Sequence, residues 1–485
     1  MLKTLSFLFN NRSATQTITK NSFWLFLAET TSYVLKIVIV IYAARILGSE
    51  GWGTFSYAIT LAGFLSIISN LGLDTLVIRE VSQKRDMKDQ YISTIFFMKL
   101  FLFLISTSLI IFVAPHITKV DSVRSLLPIV ALLLIFDGLR EFGLFVNRAS
   151  EKMELEALIK ISTSFVVACL ALVTLFISPS PKSLALAYLN GSILGFILSA
   201  WLLKHHFKNL FIGFSRKLVG PILSATWPLA LSGVLGGIMV STDIFMLGWL
   251  SGASEIGLYS VAQRPVQLFY IIPGVLSAAL FPTISRLIGQ NKRREFRAVL
   301  EKSMSASLLL GIPIVLGGLI LGGELIPFLF GEQYLSSVLT FRILLLTILM
   351  GASAALIGNA LISSGEQKVF AVYTTIGALT NVLLNVILIP RYGIVGAAIA
   401  TILSQVLINS LFLLKMKRIN YFVILPYLKR IIISGTSMSI LTFGIMQLGV
   451  SVIINILISA IFYFLLLKFL NEPLLKDAWS IIRSK

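Results

Sequence analysis

"GTFSYA" at residues 53–58 and "GLYSVA" at residues 257–262 share one pattern, Gly-x-aromatic-Ser-x-Ala, at an offset of 204 positions. Gly, Ser and Ala are common in apolar helices, so the surroundings decide whether the match marks a repeat. A Leu-Gly pair precedes each copy, Leu47-Gly48 and Leu247-Gly248, and reads as a short outer turn. Asn147 closes a fourth apolar run and Asn359 a tenth, 212 positions apart, so the offset holds across half a domain. The pattern predicts two parallel repeats of six helices each, the arrangement that gives a transporter two lobes around a central cavity.

Composition places those helices in a membrane. Hydrophobic residues make up 57% of the 485 positions and charged residues only 13%, with a mean hydropathy of +0.93, too apolar for a surface that water must cover. Apolar runs long enough to cross a hydrocarbon core of about 30 Å recur from end to end. They lie at 22–47, 53–77, 91–113, 126–146, 157–177, 183–203, 222–250, 257–284, 302–322, 339–361, 369–389, 394–414, 431–448 and 450–467, fourteen in all. Pro228, Pro265 and Pro273 predict kinks in the seventh and eighth runs. The expected fold class is therefore an all-α polytopic membrane protein. Its predicted parts are an N-terminal lobe at 1–203, a basic linker at 204–221, a second lobe at 222–428 and two added helices with a tail at 429–485.

The net charge of +19 does not point to nucleic acid, because the basic residues alternate by loop instead of forming one stripe. Lys84, Arg85 and Lys88, then Lys204, Lys208, Arg216 and Lys217, then Lys292, Arg293, Arg294 and Arg297, then Lys415, Lys417 and Arg418 fall on one side of the membrane. Lys119, Arg124, Lys182 and Arg391 fall on the other. The positive-inside rule then puts both termini in the cytoplasm, with the basic loops against acidic headgroups of the plasma membrane. No small-residue cleavage site follows a short apolar stretch at the N-terminus, so the first span is expected to be retained. The single Cys169 offers neither a disulfide framework nor a thiolate metal site.

With "YAARILGSEGWGTFSYAIT" and "SNLGLDTLVIRE", then "TDIFMLGWLSGASEIGLYSVAQR" and "FPTISRL", and finally "LNVILIPRYGIVGAAIAT", the chain resembles the polysaccharide (O-antigen type) flippase family of the MOP superfamily. That superfamily also holds MATE drug exporters and lipid II flippases. The resemblance covers essentially the whole chain. It implies translocation of an isoprenyl-(pyro)phosphate-linked oligosaccharide by alternating access.

Ionisable residues inside membrane spans are costly and mark function or pairing. The basic ones are Lys36, Arg45, Lys99, Arg140, Arg264 and Arg342, and the acids are Glu29, Asp74, Asp137, Glu141 and Asp243. Lys36, Arg45, Arg140 and Arg264 are the candidate substrate-binding cations, since a phosphate headgroup needs a forked guanidinium or a point-charge ammonium in a low-dielectric cavity. The alternative is ion pairing: Arg140 with Asp137 or Glu141, Arg264 with Asp243, Asp74 with Arg79 at the interface, and Glu29 with Lys36 two turns along, unless these two each face the cavity separately. Lys99, like Arg45, lies near enough to a span end to snorkel.

Asn381 and Asn385 share a helix face and Thr401 follows in the next span, an oxygen-rich set suited to a hard cation. The resemblance to lipid II flippases implies a sodium site at Asp243, Asn381, Asn385, the Ala397 carbonyl and Thr401, with Asn385 where a carboxylate is expected. The bland reading is that the two Asn residues hydrogen-bond neighbouring helices. Lacking a Walker A pattern, the chain would be driven by a sodium ion, a proton gradient or a lipid gradient.

Three classes of function remain in view. A flippase would take a lipid-linked oligosaccharide, with membrane lipids and polysaccharide assembly proteins as its other partners. A MATE-like exporter of organic cations would call for acidic and aromatic walls. An enzyme acting on the same lipid carriers would need catalytic residues on long outer loops, and the longest outer segment, 323–338, is short and apolar. The expectation is a transporter, not an enzyme.

Overall fold

The computed structural model describes residues 14–74, 76–77, 80, 87–150, 152–204, 210 and 213–476, and every regular element among them is a helix. Lys84, Arg85, Arg79 and Lys208 of the charge pattern above lie outside the described residues. Among the described residues ten helices are long and apolar enough to cross a membrane, and in each the most apolar window is only 17% to 53% buried. Phe26, Phe112, Phe176 and Ile440 point outward, whereas Lys20, Asp74, Lys99 and Asn385 are buried. This inversion is what a chain solvated by lipid requires. Helices are also the natural choice there, because each satisfies its own backbone hydrogen bonds.

The chain divides into two compact units, Met1–Gly257 and Leu258–Lys485. The first holds α1 (Ala14–Asn70), α2 (Lys88–Ser108), α3 (Leu127–Ala149), α4 (Met153–Ile177), α5 (Pro181–Leu202) and α6 (Arg216–Leu250). Helix α1 packs on α4, α4 on α5 and α5 on α3, while α2 lies against α1 and α3 and α6 against α1. Tyr91, Ile95, Phe142, Val146 and Leu203 form a buried cluster that fixes α2 and α3 together.

The boundary between the units falls inside α7 (Ala253–Phe269), at the first residue of "GLYSVA". The second unit continues with α8 (Ile271–Gly289), α9 (Arg293–Phe330), α10 (Ser337–Ser363), α11 (Gln367–Ile419), α12 (Leu425–Gln447) and α13 (Val452–Phe469). Here α10 packs on α9 and α11, and α12 packs on α9 and α13. Thr442 donates to Ser459 at 2.8 Å, Asn455 to the Thr442 carbonyl at 3.0 Å and Tyr463 to the Leu309 carbonyl at 2.7 Å. These buried bonds join the last two helices to α9, as interhelical polar contacts do in lipid. An apolar cavity of about 340 Å³ opens between α9, α10, α12 and α13, lined by Leu321, Phe341, Met438 and Tyr463.

Two long helices are interrupted at a glycine, and both breaks fall between neighbouring spans expected from sequence. Gly48 in α1 has φ 69° and Gly393 in α11 has φ 54°, left-handed conformations that only glycine adopts at low cost. The eighth run is broken near Pro273 and not at Pro265, which α7 runs through: α7 ends at Phe269, and Pro273, lacking an N–H, cannot donate back to the Phe269 carbonyl. The seventh run is a single helix through Pro228.

Two expectations change. The Leu247-Gly248 pair is no turn, for Gly248 lies inside α6 against the ring of Tyr57, and the chain turns at Ser251 and Gly252. Gly252 stands 204 positions after Gly48, so the repeat offset holds where the Leu-Gly pairing does not. The outer segment 323–338 is mostly helix, with α9 running to Phe330 and α10 starting at Ser337.

Candidate functional site

Charged side chains in the first unit gather in two places. Along the α1 and α4 interface, Lys20 Nζ meets Glu154 at 2.9 Å, Lys160 pairs with Glu29, and Ser164 donates to Ser32 at 2.9 Å. Glu29 therefore takes its cation from a neighbouring helix and not from Lys36, as the seven-residue spacing had suggested. Helical periodicity puts two residues on one face but does not say which helix lies opposite.

The second gathering joins the residues just past the end of α1 to α2, α3 and α5. Lys99 is 2% exposed and pairs with Asp74, 4% exposed, while its ammonium also lies 5.7 Å from the ring centre of Phe103. Lys99 does not snorkel, and Asp74 takes Lys99 as a partner; the expected pairing of Asp74 with Arg79 lies outside the described residues. Burying two charges in lipid is costly unless they neutralise each other, and this pair does so across 25 residues of sequence. On α3, Arg140 reaches Asp137 at 2.5 Å, and Ser192 of α5 donates to the same carboxylate oxygen at 3.2 Å. The pairing partner is thus Asp137, three residues back, as one of the two sequence readings had it. Glu141 keeps accessible surface and lies in the electrostatic field of Asp137, Arg140, Asp74 and Lys99.

Of the candidate substrate cations, Lys36 and Arg45 are exposed on α1, Arg140 is buried in its ion pair, and Arg264 is half-buried on α7 in the second unit. Of the candidate ion ligands, Asp243 is buried in the first unit, and Asn381, Asn385 and Ala397 are buried in the second with Thr401 half-buried. The structure brings Asn381 and Asn385 together, the latter donating to the former at 3.1 Å. One turn beyond Thr401, Gln405 accepts from Tyr270 at 3.3 Å, a polar residue on the same face that sequence reading passed over. Among the described residues no group of three or more His, Cys, Asp or Glu is placed to hold a metal ion.

Outside the spans, Glu301 receives the Val423 N–H at 2.7 Å, the Tyr427 hydroxyl at 3.3 Å and the Arg297 Nε at 2.8 Å. One carboxylate so anchors the start of α12 to the start of α9.

Comparison with known proteins gives this arrangement its context. The sequence model of a family described as polysaccharide biosynthesis protein matches residues 18–288, and the MatE model matches residues 228–387. A chain of Shigella flexneri named as an O-antigen transporter is 24% identical over 79% of this chain and 94% of its own length. The capsular polysaccharide biosynthesis protein CapF of Staphylococcus aureus is 23% identical over 80% and 96%. A chain of Haloferax volcanii named as a low-salt glycan biosynthesis flippase is 25% identical over 80% and 81%. In fold, the lipid II flippase MurJ in an inward closed conformation superposes with a TM-score of 0.73 at 16% identity, over 93% of this chain and all of the other. An inward-facing MATE family multidrug transporter of the MOP superfamily gives 0.64 at 16% identity, over 80% and 94%. The resemblance read from the quoted motifs is borne out at the level of the superfamily.

Proposed function

We propose, from the premise that this chain belongs to the polysaccharide biosynthesis protein family, that it is a flippase carrying lipid-linked oligosaccharide across the membrane by alternating access. The observation that carries this reading is the sign of the charge that the crossing helices hold. Lys36 and Arg45 on α1 and Arg264 on α7 offer cations to an anionic headgroup, and a substrate phosphate can compete with Asp137 for Arg140. The named relatives act in O-antigen transport, capsular polysaccharide biosynthesis and glycan flipping, and this is the substrate chemistry that such cations suit. The isoprenyl-(pyro)phosphate carrier, the plasma membrane as location, two cytoplasmic termini and polysaccharide assembly proteins as partners belong to the same reading. So do fourteen crossings, in which Gly48 and Gly393 are turning points and Tyr270 interrupts a single crossing, and two six-helix lobes at 1–203 and 222–428 joined by the linker at 204–221. No catalytic step is needed.

A sodium ion, in this reading, would be held by the oxygens of Asp243, Asn381, Asn385, Ala397 and Thr401, with one formal negative charge among them. The donor set fits a hard monovalent cation. A MATE-like exporter is the second reading, favoured by the MatE match and the MATE fold neighbour. It would require organic cations to bind among Lys36, Arg45 and Arg264, against charge.

Native mass spectrometry of the purified protein separates the two. Retention of an isoprenyl-pyrophosphate oligosaccharide, with loss of binding for the corresponding uncharged isoprenol, supports the flippase. Retention of ethidium alone overturns it.

A further inference from the structure

The cluster of Asp74, Lys99, Asp137, Arg140 and Glu141 contains one carboxylate more than it has cations. Asp74 is taken by Lys99, and Asp137 by Arg140 with Ser192 in support. Glu141, one turn along α3 from Asp137, makes no hydrogen bond or ion pair among the described residues. Three carboxylates against two cations leave a charge of minus one within the membrane when all are ionised, and zero when one proton is bound. Net charge within a membrane is costly, and among the described residues the groups in whose field Glu141 lies do not compensate it. Asp137 and Arg140 on its own helix cancel, as do Asp74, just past the end of α1, and Lys99 on α2.

A second feature shows that the cluster is open to exchange. Arg140 is 9% exposed, yet its Nε–H has no hydrogen-bond partner, so the cluster keeps a buried donor ready for another acceptor. Glu141, in contrast, is exposed, so its carboxylate is not sealed in by the paired charges. The rings of Phe103 and Phe142 lie 5.7 and 6.0 Å from the Lys99 ammonium and give the Asp74 and Lys99 pair an apolar wall.

We propose that Glu141 is a reversible proton site, with the Asp74 and Lys99 pair and the Asp137 and Arg140 pair as its fixed electrostatic frame. The step is a simple exchange: a proton from water bonds to a Glu141 carboxylate oxygen, and its release restores the anion. A sodium ion is a poorer occupant, since the Lys99 ammonium and the Arg140 guanidinium, which hold the Asp74 and Asp137 Oδ1 atoms, repel a second metal-like cation beside them. Because Arg140 also belongs to the candidate headgroup cations, headgroup binding and proton occupancy act on one shared residue and must affect each other reciprocally. Only this last link rests on the flippase reading.

The test is infrared difference spectroscopy of the purified protein at neutral pH in sodium-free buffer, with no substrate present. A carboxylic-acid carbonyl band that shifts in heavy water, disappears in Glu141→Gln and persists in Glu332→Gln is expected. Glu141→Asp keeps the acid and should move the band without removing it, which assigns the band even if the amide variant does not fold. Absence of the band in the wild type, its survival in Glu141→Gln, or its loss on adding sodium chloride at constant pH overturns the proposal. Since this readout involves no transport, it can fail while the flippase reading stands, and the reverse.

Discussion

Gly53 and Gly257 open the two copies of the hexapeptide and make reciprocal backbone contacts. A Cβ on Gly53 would strike the carbonyl of Ala253, and a Cβ on Gly257 would strike the carbonyl of Ser49. Ser49 and Ala253 are themselves 204 positions apart, so the contact is its own mirror under the repeat, and the Ser49 and Ser254 hydroxyls seal it at 2.9 Å. The repeated hexapeptide thus keeps its glycine because two helix starts cross there with no room for a side chain. Gly53→Val or Gly257→Val should destabilise the protein by about 2 kcal/mol or more, the scale of forced overpacking. The check is a lowered thermal unfolding midpoint in detergent, and an unchanged midpoint would contradict the crossing.

Removing one member of the Asp74 and Lys99 pair should be worse than removing both. Lys99→Met leaves a buried carboxylate and is expected to cost about 3 to 5 kcal/mol, whereas Lys99→Met with Asp74→Leu should recover much of the loss. A double-mutant cycle on thermal unfolding reads the difference directly. Equal or additive losses would mean that the two side chains do not neutralise each other.

How far the sequence foretold these features depends on the range of each interaction. Arg140 with Asp137 and Asn385 with Asn381 are three and four residues apart, so helical geometry alone puts them together. The breaks at Gly48, Tyr270 and Gly393 were legible too, because glycine and proline act locally. Lys99 with Asp74 and Lys160 with Glu29 join different helices across 25 and 131 residues, and hydropathy carries no information on which helices are neighbours. The same holds for Glu301, which looks like a surface acid until the segment at 423–427 folds back onto it.

Glu301→Gln should loosen that anchor while sparing the spans. The amide keeps an acceptor for the Val423 N–H but gives up the charge-assisted contact with Arg297, a loss of about 1 to 2 kcal/mol. Faster limited proteolysis at 420–424 with unchanged helical circular dichroism is the expected outcome.

Sodium should raise the thermal midpoint of the wild type if Asp243, Asn381, Asn385, Ala397 and Thr401 form a site. At a hundredfold excess over its dissociation constant the gain is about 2.7 kcal/mol. Asp243→Asn should abolish the gain while potassium gives none in either protein. An equal response of both proteins to sodium would dismiss the site.

The central claim is that the cations on the crossing helices carry an anionic headgroup through the membrane. The direct measurement is translocation of a labelled isoprenyl-pyrophosphate oligosaccharide in liposomes holding the purified protein, compared with Arg264→Ala at equal incorporation and equal thermal midpoint. Movement well above empty liposomes in the wild type, lost in Arg264→Ala, is the predicted result. No movement in the wild type, or full movement in a well-folded Arg264→Ala, would contradict it.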